Sequence, residues 1–182
     1  MFIITGDTAI GKSTICEELK ELARLEGLTY GGIITCKSSD GGIIIKELQS
    51  EMTEILASVD DKYNGPRIGK YYFNPVGIQF GLEAIKNAIN TDMLFVDELG
   101  YLELKGDGFS SIMKLLTSGK VRNSIVVIRK ELLAELLPLL GSNLTIFEAT
   151  ISNRNQLPMA IFSHITSKRR DKTIDTYSPK NV

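Results

Sequence analysis

Residues 6–14 read Gly6-Asp7-Thr8-Ala9-Ile10-Gly11-Lys12-Ser13-Thr14. Gly6, Gly11, Lys12 and Ser13 fit the spacing G-x-x-x-x-G-K-[ST], which average residue usage yields by chance in roughly one chain in two hundred of this length. The β-branched run at residues 2–5 precedes it. After it, Ile15, Leu19, Leu22 and Ala23 recur at i, i+4, i+7 and i+8, the apolar face of a helix. A strand, a glycine-bracketed loop and a helix in that order are what a phosphate-binding loop needs. Glycines let the backbone curl until successive N–H groups point at phosphate oxygens, and the helix start adds partial positive charge at the same place. The whole run Gly6, Asp7, Thr8, Ala9, Ile10, Gly11, Lys12, Ser13 and Thr14 is therefore a candidate nucleotide contact. Lys12 would reach the β- and γ-phosphates, and the Ser13 hydroxyl would ligate Mg²⁺. Asp7 is out of place beside a triphosphate, so its side chain is expected to point away.

Outward from this loop, two periodicities alternate. Short β-branched runs fall at residues 32–36, 43–48, 93–97, 124–128 and 144–147. Phe109, Ile112, Met113 and Leu116 follow a helical spacing, with Gly119 as a stop; Leu132, Leu133, Leu136, Leu137 and Leu140 form another apolar stripe, ended by Pro138 and Gly141. A last helix is expected at residues 156–166. Strands alternating with helices predict an α/β fold with a mostly parallel sheet. Residues 43–73 depart from this, offering runs at 43–48, 54–59 and 70–73 separated by turn signals such as Asn64-Gly65-Pro66 and no helix-length connection. They read as a small antiparallel insertion on the sheet edge. Residues 1–167 are expected to form one domain, followed by a basic, mobile tail at 168–182.

The 182 residues carry 21 Lys+Arg against 22 Asp+Glu, one His and two Cys, with 43% hydrophobic content. That is enough apolar material for a core, and the near-neutral balance argues against nucleic acid as the main ligand. The last fifteen residues hold five basic and two acidic side chains, so the rest carries about −4 and only the tail suits a weak contact with RNA. One histidine and two cysteines exclude a His-rich zinc centre and a disulfide framework. No apolar run approaches the length that spans a bilayer, and no signal-peptide pattern is seen, so a soluble cytoplasmic protein is expected, without a membrane partner.

A second acidic site is predicted at Met93-Leu94-Phe95-Val96-Asp97-Glu98, an apolar strand ending in two carboxylates. In an open parallel sheet ligands bind beyond the carboxyl ends of the strands, where the first strand also delivers the phosphate loop. Asp97 would hold Mg²⁺ or its water, and Glu98 would orient or deprotonate an attacking water. Arg129 follows the 124–128 strand at the same edge; it either stabilises γ-phosphate charge or is a solvated charge capping a strand. Asn153 and Arg154 follow the last strand, where a nucleotide base is often bracketed. Arg67 either shares the charge-stabilising role of such an arginine or pairs with Asp60 or Asp61. His164 is expected to be partly buried on the last helix. Cys16 is expected in the core, its helix position tending to depress its pKa.

The phosphate loop, the run Arg67-Ile68-Gly69-Lys70-Tyr71, the run Asp97-Glu98-Leu99-Gly100-Tyr101-Leu102-Glu103-Leu104 and the late Asn153-Arg154-Asn155-Gln156-Leu157-Pro158 occur in order. Together they resemble the cancer-related nucleoside-triphosphatase family, also called the THEP type, over residues 1 to about 165. The resemblance implies a three-layer P-loop fold and Mg²⁺-dependent hydrolysis of nucleoside triphosphates, with tolerance of several bases. Two departures stand out. Ala9 occupies a loop position where the family usually has glycine, and residues 36–42 lack an arginine that it tends to carry there. A small-molecule or nucleoside kinase using the same loop, and a nucleotide-dependent switch or adaptor with a protein partner, remain alternative readings. Lys12→Ala is expected to weaken triphosphate binding or hydrolysis strongly; intact phosphate release by that variant would overturn the phosphate-loop assignment.

Overall fold

The computed structural model describes residues 1–174, with side chains through Ser167. β1 (Phe2–Gly6) runs through the loop into α1 (Lys12–Leu25), and β2 (Tyr30–Lys37) returns. Four short strands follow, β3 (Ile43–Glu47), β4 (Thr53–Ser58), β5 (Arg67–Ile68) and β6 (Tyr71–Phe73), then α2 (Pro75–Asn87) and β7 (Met93–Leu99). The chain continues through α3 (Tyr101–Leu104), α4 (Ser110–Thr117), β8 (Ser124–Ile128), α5 (Leu133–Leu136), β9 (Thr145–Ala149) and α6 (Leu157–Ile174).

All nine strands form one sheet in the order β5-β6-β4-β3-β2-β7-β8-β1-β9. The five from β2 to β9 are mutually parallel, whereas β3, β4, β6 and β5 pair antiparallel outward from β2. The fold is thus α/β, a mixed sheet with a largely parallel core. Parallel strands need helices on both faces and so read as unbroken apolar runs. Phe2-Ile3-Ile4 and Ile125-Val126-Val127-Ile128 are such runs, and alternate residues feed two cores. Phe2, Ile4, Phe95, Ile125 and Val127 pack with Ile15, Leu19 and Ile161 of α1 and α6. Ile3, Val96, Val126 and Ile128 pack with Ile85, Ile112 and Leu136 of α2, α4 and α5.

Several local expectations are corrected. α2 has no counterpart in the periodicity reading, because two glycines and a proline dilute its apolar pattern. Asn74 caps it by accepting from the Val76 amide, and Pro75 occupies a first-turn position, where its missing N–H costs nothing. Gly77 and Gly81 bring the helix onto the antiparallel strands: a Cβ on Gly77 would lie 2.3 Å from the Ile55 carbonyl oxygen. The leucine stripe is not one helix but the short α5 between 3₁₀ turns at Lys130–Leu132 and Leu137–Leu139; Pro138 in the second turn cannot donate to an α-helical ladder. Arg67 pairs with neither aspartate; its Nε donates to the Gly69 carbonyl and its guanidinium lies 4.9 Å from the Tyr72 ring centre. Asp60 takes Lys62 instead. His164 is exposed rather than partly buried, with its ring edge-on to Phe2 and Phe147. α6 runs further than residue 166, and the expected tail lies, beyond this backbone, outside the described residues. Among the described residues no helix is long and apolar enough to cross a membrane.

Gly77→Ala is expected to destabilise the protein by ~1–3 kcal/mol, because the overpacked atom meets backbone rather than a side chain that moves aside. The drop in Tm is readable by far-ultraviolet circular dichroism; an unchanged Tm would show that α2 does not sit this close to β4.

Candidate active site

Both glycines of the loop take positive φ, +143° at Gly6 and +103° at Gly11, so the chain can reverse within six residues. Ala9 also sits in the left-handed region, at φ +62°. A non-glycine residue there costs roughly 1–3 kcal/mol, strain that a glycine would avoid. Gly11 caps α1 without a side chain, so the first-turn amides face into the loop unclaimed by any capping group. Lys12 is buried, and its Nζ donates to the carbonyls of Gly6 and Asp7 at 2.8 Å each. Those two bonds leave the ammonium a third proton. Asp7, Thr8 and Thr14 are exposed and Ile10 is half-buried; the negative charge of Asp7 is felt by Lys130.

Asp97 closes the unbroken buried run 93–97 of β7 and is 1% exposed. Its carboxylate accepts from the Ser13 hydroxyl and, at 3.4 Å, from the Thr35 amide at the end of β2. Burial pushes its pKa up to about 7, with the Ser13 hydrogen bond pulling it down and the Glu98 charge pushing it up. Ser13 and Asp97 thus place two oxygen donors side by side at the loop. Such a pair fits a hard divalent cation, which Mg²⁺ exemplifies: it takes oxygen ligands from one or two protein groups and completes its shell with phosphates and water.

Glu98 faces the other side of the sheet. The β7–β8 register shifts between Val96 and Leu99, an irregularity of the kind that re-aims a side chain next to a site. Glu98 Oε1 accepts from Arg129 Nε at 2.5 Å, so the pair expected only to share an edge is in direct contact. Burial pulls the Arg129 guanidinium down, but the Glu98 charge and hydrogen bond outweigh it and hold the group above its ordinary value.

One group was hidden in the sequence. Glu103 is buried and accepts from the Gly100 and Phe109 amides at 2.6 and 2.8 Å, tying residues 100–109 into a closed loop behind Glu98. Its place three residues after the Gly100 N-cap is where a glutamate reaches back to the N-cap amide, the half of a capping box that a glycine allows. Asn153 spends its amide within its own loop, accepting from the Thr150 amide and donating to the Glu148 carbonyl. Arg154 is exposed and reaches back over the phosphate loop, its Nη1 3.5 Å from the Ile10 carbonyl. The Cys16 thiol is pushed up, not down, by burial and then by the charges of Asp97 and Glu17, so it is an inert core group.

Residues 1–162 match a family model described as NTPase. The chain is 29% identical to the nucleoside-triphosphatase THEP1 of Methanosarcina barkeri over 91% of this chain and 97% of that protein. It is 36% identical to the nucleoside-triphosphatase THEP1 of Methanosarcina acetivorans over 64% of this chain and 70% of that protein. The crystal structure of THEP1 from the hyperthermophile Aquifex aeolicus has the same fold, with a TM-score of 0.71, 21% identity and coverage of 91% of this chain and 99% of that one.

Because the folded pKa of Asp97 lies above that of an unfolded aspartate, the native state holds the extra proton between about pH 4 and 7. Its contribution to stability is therefore fully present at low pH and is lost as pH rises to about 7, with a slope of at most ~1.4 kcal/mol per unit. Urea unfolding of metal-free protein at pH 5 and pH 8 is expected to show this loss in the wild type and a smaller one in Asp97→Asn. The same pH dependence in both would overturn the assigned environment of Asp97.

Proposed function

The chain belongs to the NTPase family and is a nucleoside-triphosphatase, and from that premise we propose that it hydrolyses several nucleoside triphosphates to diphosphate and phosphate in a Mg²⁺-dependent reaction. The observation that carries this reading is the Asp97 carboxylate against the Ser13 hydroxyl, with Glu98 one residue further on the opposite face. It supports a cation site at Asp97 and a proton acceptor at Glu98, on adjacent residues beside the phosphate loop.

In this reading the loop amides and Lys12 take the β- and γ-phosphate oxygens, holding the reactant in place and offsetting the charge that spreads over them. Mg²⁺, when held by Ser13 and Asp97, supplies further neutralisation of the phosphate oxygens. Glu98 accepts a hydrogen bond from the attacking water. As the water oxygen bonds to the γ-phosphorus, the proton passes to the Glu98 carboxylate and the bond to the β–γ bridging oxygen breaks, its electron pair leaving on the diphosphate. Arg129 holds Glu98 in position through Nε, and its remaining N–H groups serve the γ-phosphate oxygens, a role that can be worth ~10³–10⁵ in rate.

Broad base tolerance is supported by the loop after β9. Asn153 is engaged internally, and the exposed groups of the loop include Arg154 and Ile151, which is 81% exposed. A flat cation and an aliphatic side chain offer a base face stacking without reading its edge.

Steady-state phosphate release from ATP, GTP, CTP and UTP is expected to give kcat/KM values within about tenfold of one another, since discrimination without paired hydrogen bonds is small. Glu98→Gln is expected to lower kcat by ~10²–10⁴ with little change in KM. Equal rates in wild type and variant would sink the role of Glu98, and activity undiminished by chelation of divalent cations would sink the role of the metal.

A further inference from the structure

Beside Glu98 lies a cavity of about 250 Å³ that hydrolysis does not explain. A cavity needs only ~10–15 Å³ of such space to hold one water, so the attacking nucleophile of a hydrolase uses a small fraction of it. None of residues 6–14 lines the cavity, so its walls are not those of the triphosphate's own cradle, and in the reading above the two meet at Glu98 and Arg129. Its polar end is the Glu98–Arg129 pair, and its body is apolar, formed by Ile43, Leu56, Ile68, Phe73 and Ile78 among others. Those residues belong to the antiparallel strands and α2, the parts of the fold that the phosphate loop does not need. An apolar chamber that ends on the carboxylate placed to take a proton has the form of a site for an organic nucleophile.

Resting on the reading of Glu98 above, we propose that this cavity binds a small alcohol with an apolar body, which takes the γ-phosphoryl group in place of water. The hydroxyl lies against Glu98 and the carbon body fills the apolar chamber. The alcohol oxygen bonds to the γ-phosphorus and its proton passes to Glu98. The bond from phosphorus to the β–γ bridging oxygen breaks with its electron pair, leaving nucleoside diphosphate and a phosphomonoester. Two cations line the cavity, Arg129 and Lys70, while Glu103 has its oxygens bonded to backbone amides. With Glu98 and Glu103 the lining charges balance, and the two cations are available to the anionic phosphomonoester product.

The test uses γ-³²P-labelled ATP, full-length protein and 2-phenylethanol as the probe, with glycerol as the alcohol that lacks an apolar body. The expected result is a labelled phosphomonoester from 2-phenylethanol at about ten times the yield from glycerol or more. Ile68→Trp fills the chamber and is expected to remove the ester while phosphate release from ATP alone stays close to wild type. Ile78→Phe repeats the test from α2, so a folding defect in one variant does not decide the outcome. No ester from 2-phenylethanol, equal yields from both alcohols, or ester persisting in both variants would overturn the proposal. Phosphate release without ester leaves the hydrolase reading standing and removes the acceptor site. Ester formed without acceptor-free phosphate release supports the acceptor site and removes the hydrolase reading.

Discussion

A single buried carboxylate joins three pieces of this molecule. Asp97 accepts from the Ser13 hydroxyl at the start of α1 and from the Thr35 amide at the end of β2, while itself ending the buried run of β7. Burying an unpaired carboxylate is costly, and the site meets that cost with two hydrogen bonds and with a pKa raised to about 7. The arrangement exists only because the neighbouring strands are parallel: β2, β7, β8 and β1 all end at one edge of the sheet, so the groups that follow them converge.

Glu98 depends on that junction from the other face. It lines the cavity on the α2 side, and Arg129, delivered by the end of β8, meets it at 2.5 Å. Behind the pair, Glu103 fastens the Gly100 and Phe109 amides, so the segment after β7 is closed by a side chain rather than left as a free loop. The antiparallel strands and α2 then roof this side. Their close approach relies on Gly77 and Gly81, whose missing side chains let the helix rest on the strands. The same roof supplies the apolar walls of the cavity beside Glu98.

The glycine-bracketed loop and the strand that carries Asp97 and Glu98 were legible because their signals are local. Glycine and lysine spacing specifies a backbone curl, and an apolar run ending in two acids specifies a strand end. α2 was not legible, since its glycines serve a tertiary contact and blur the periodicity that marks a helix. Glu103 was visible only as a motif residue; its burial, and the amides it accepts from, follow from the path of residues 100–109. Cys16 shows how context reverses a local rule: a helix-start position lowers a thiol pKa, but burial beside Asp97 raises it.

Taken alone, the sequence determined the alternation of strands and helices, the phosphate loop and the acids that accompany it, because each rests on short-range periodicity and on the conformational limits of single residues. The tertiary structure decided which of these groups meet. Ser13 touches Asp97, and Glu98 pairs with Arg129, only because strands distant in sequence end at a common edge. Strand order within a sheet is a matter of packing two faces at once, and no single stretch of sequence carries that information.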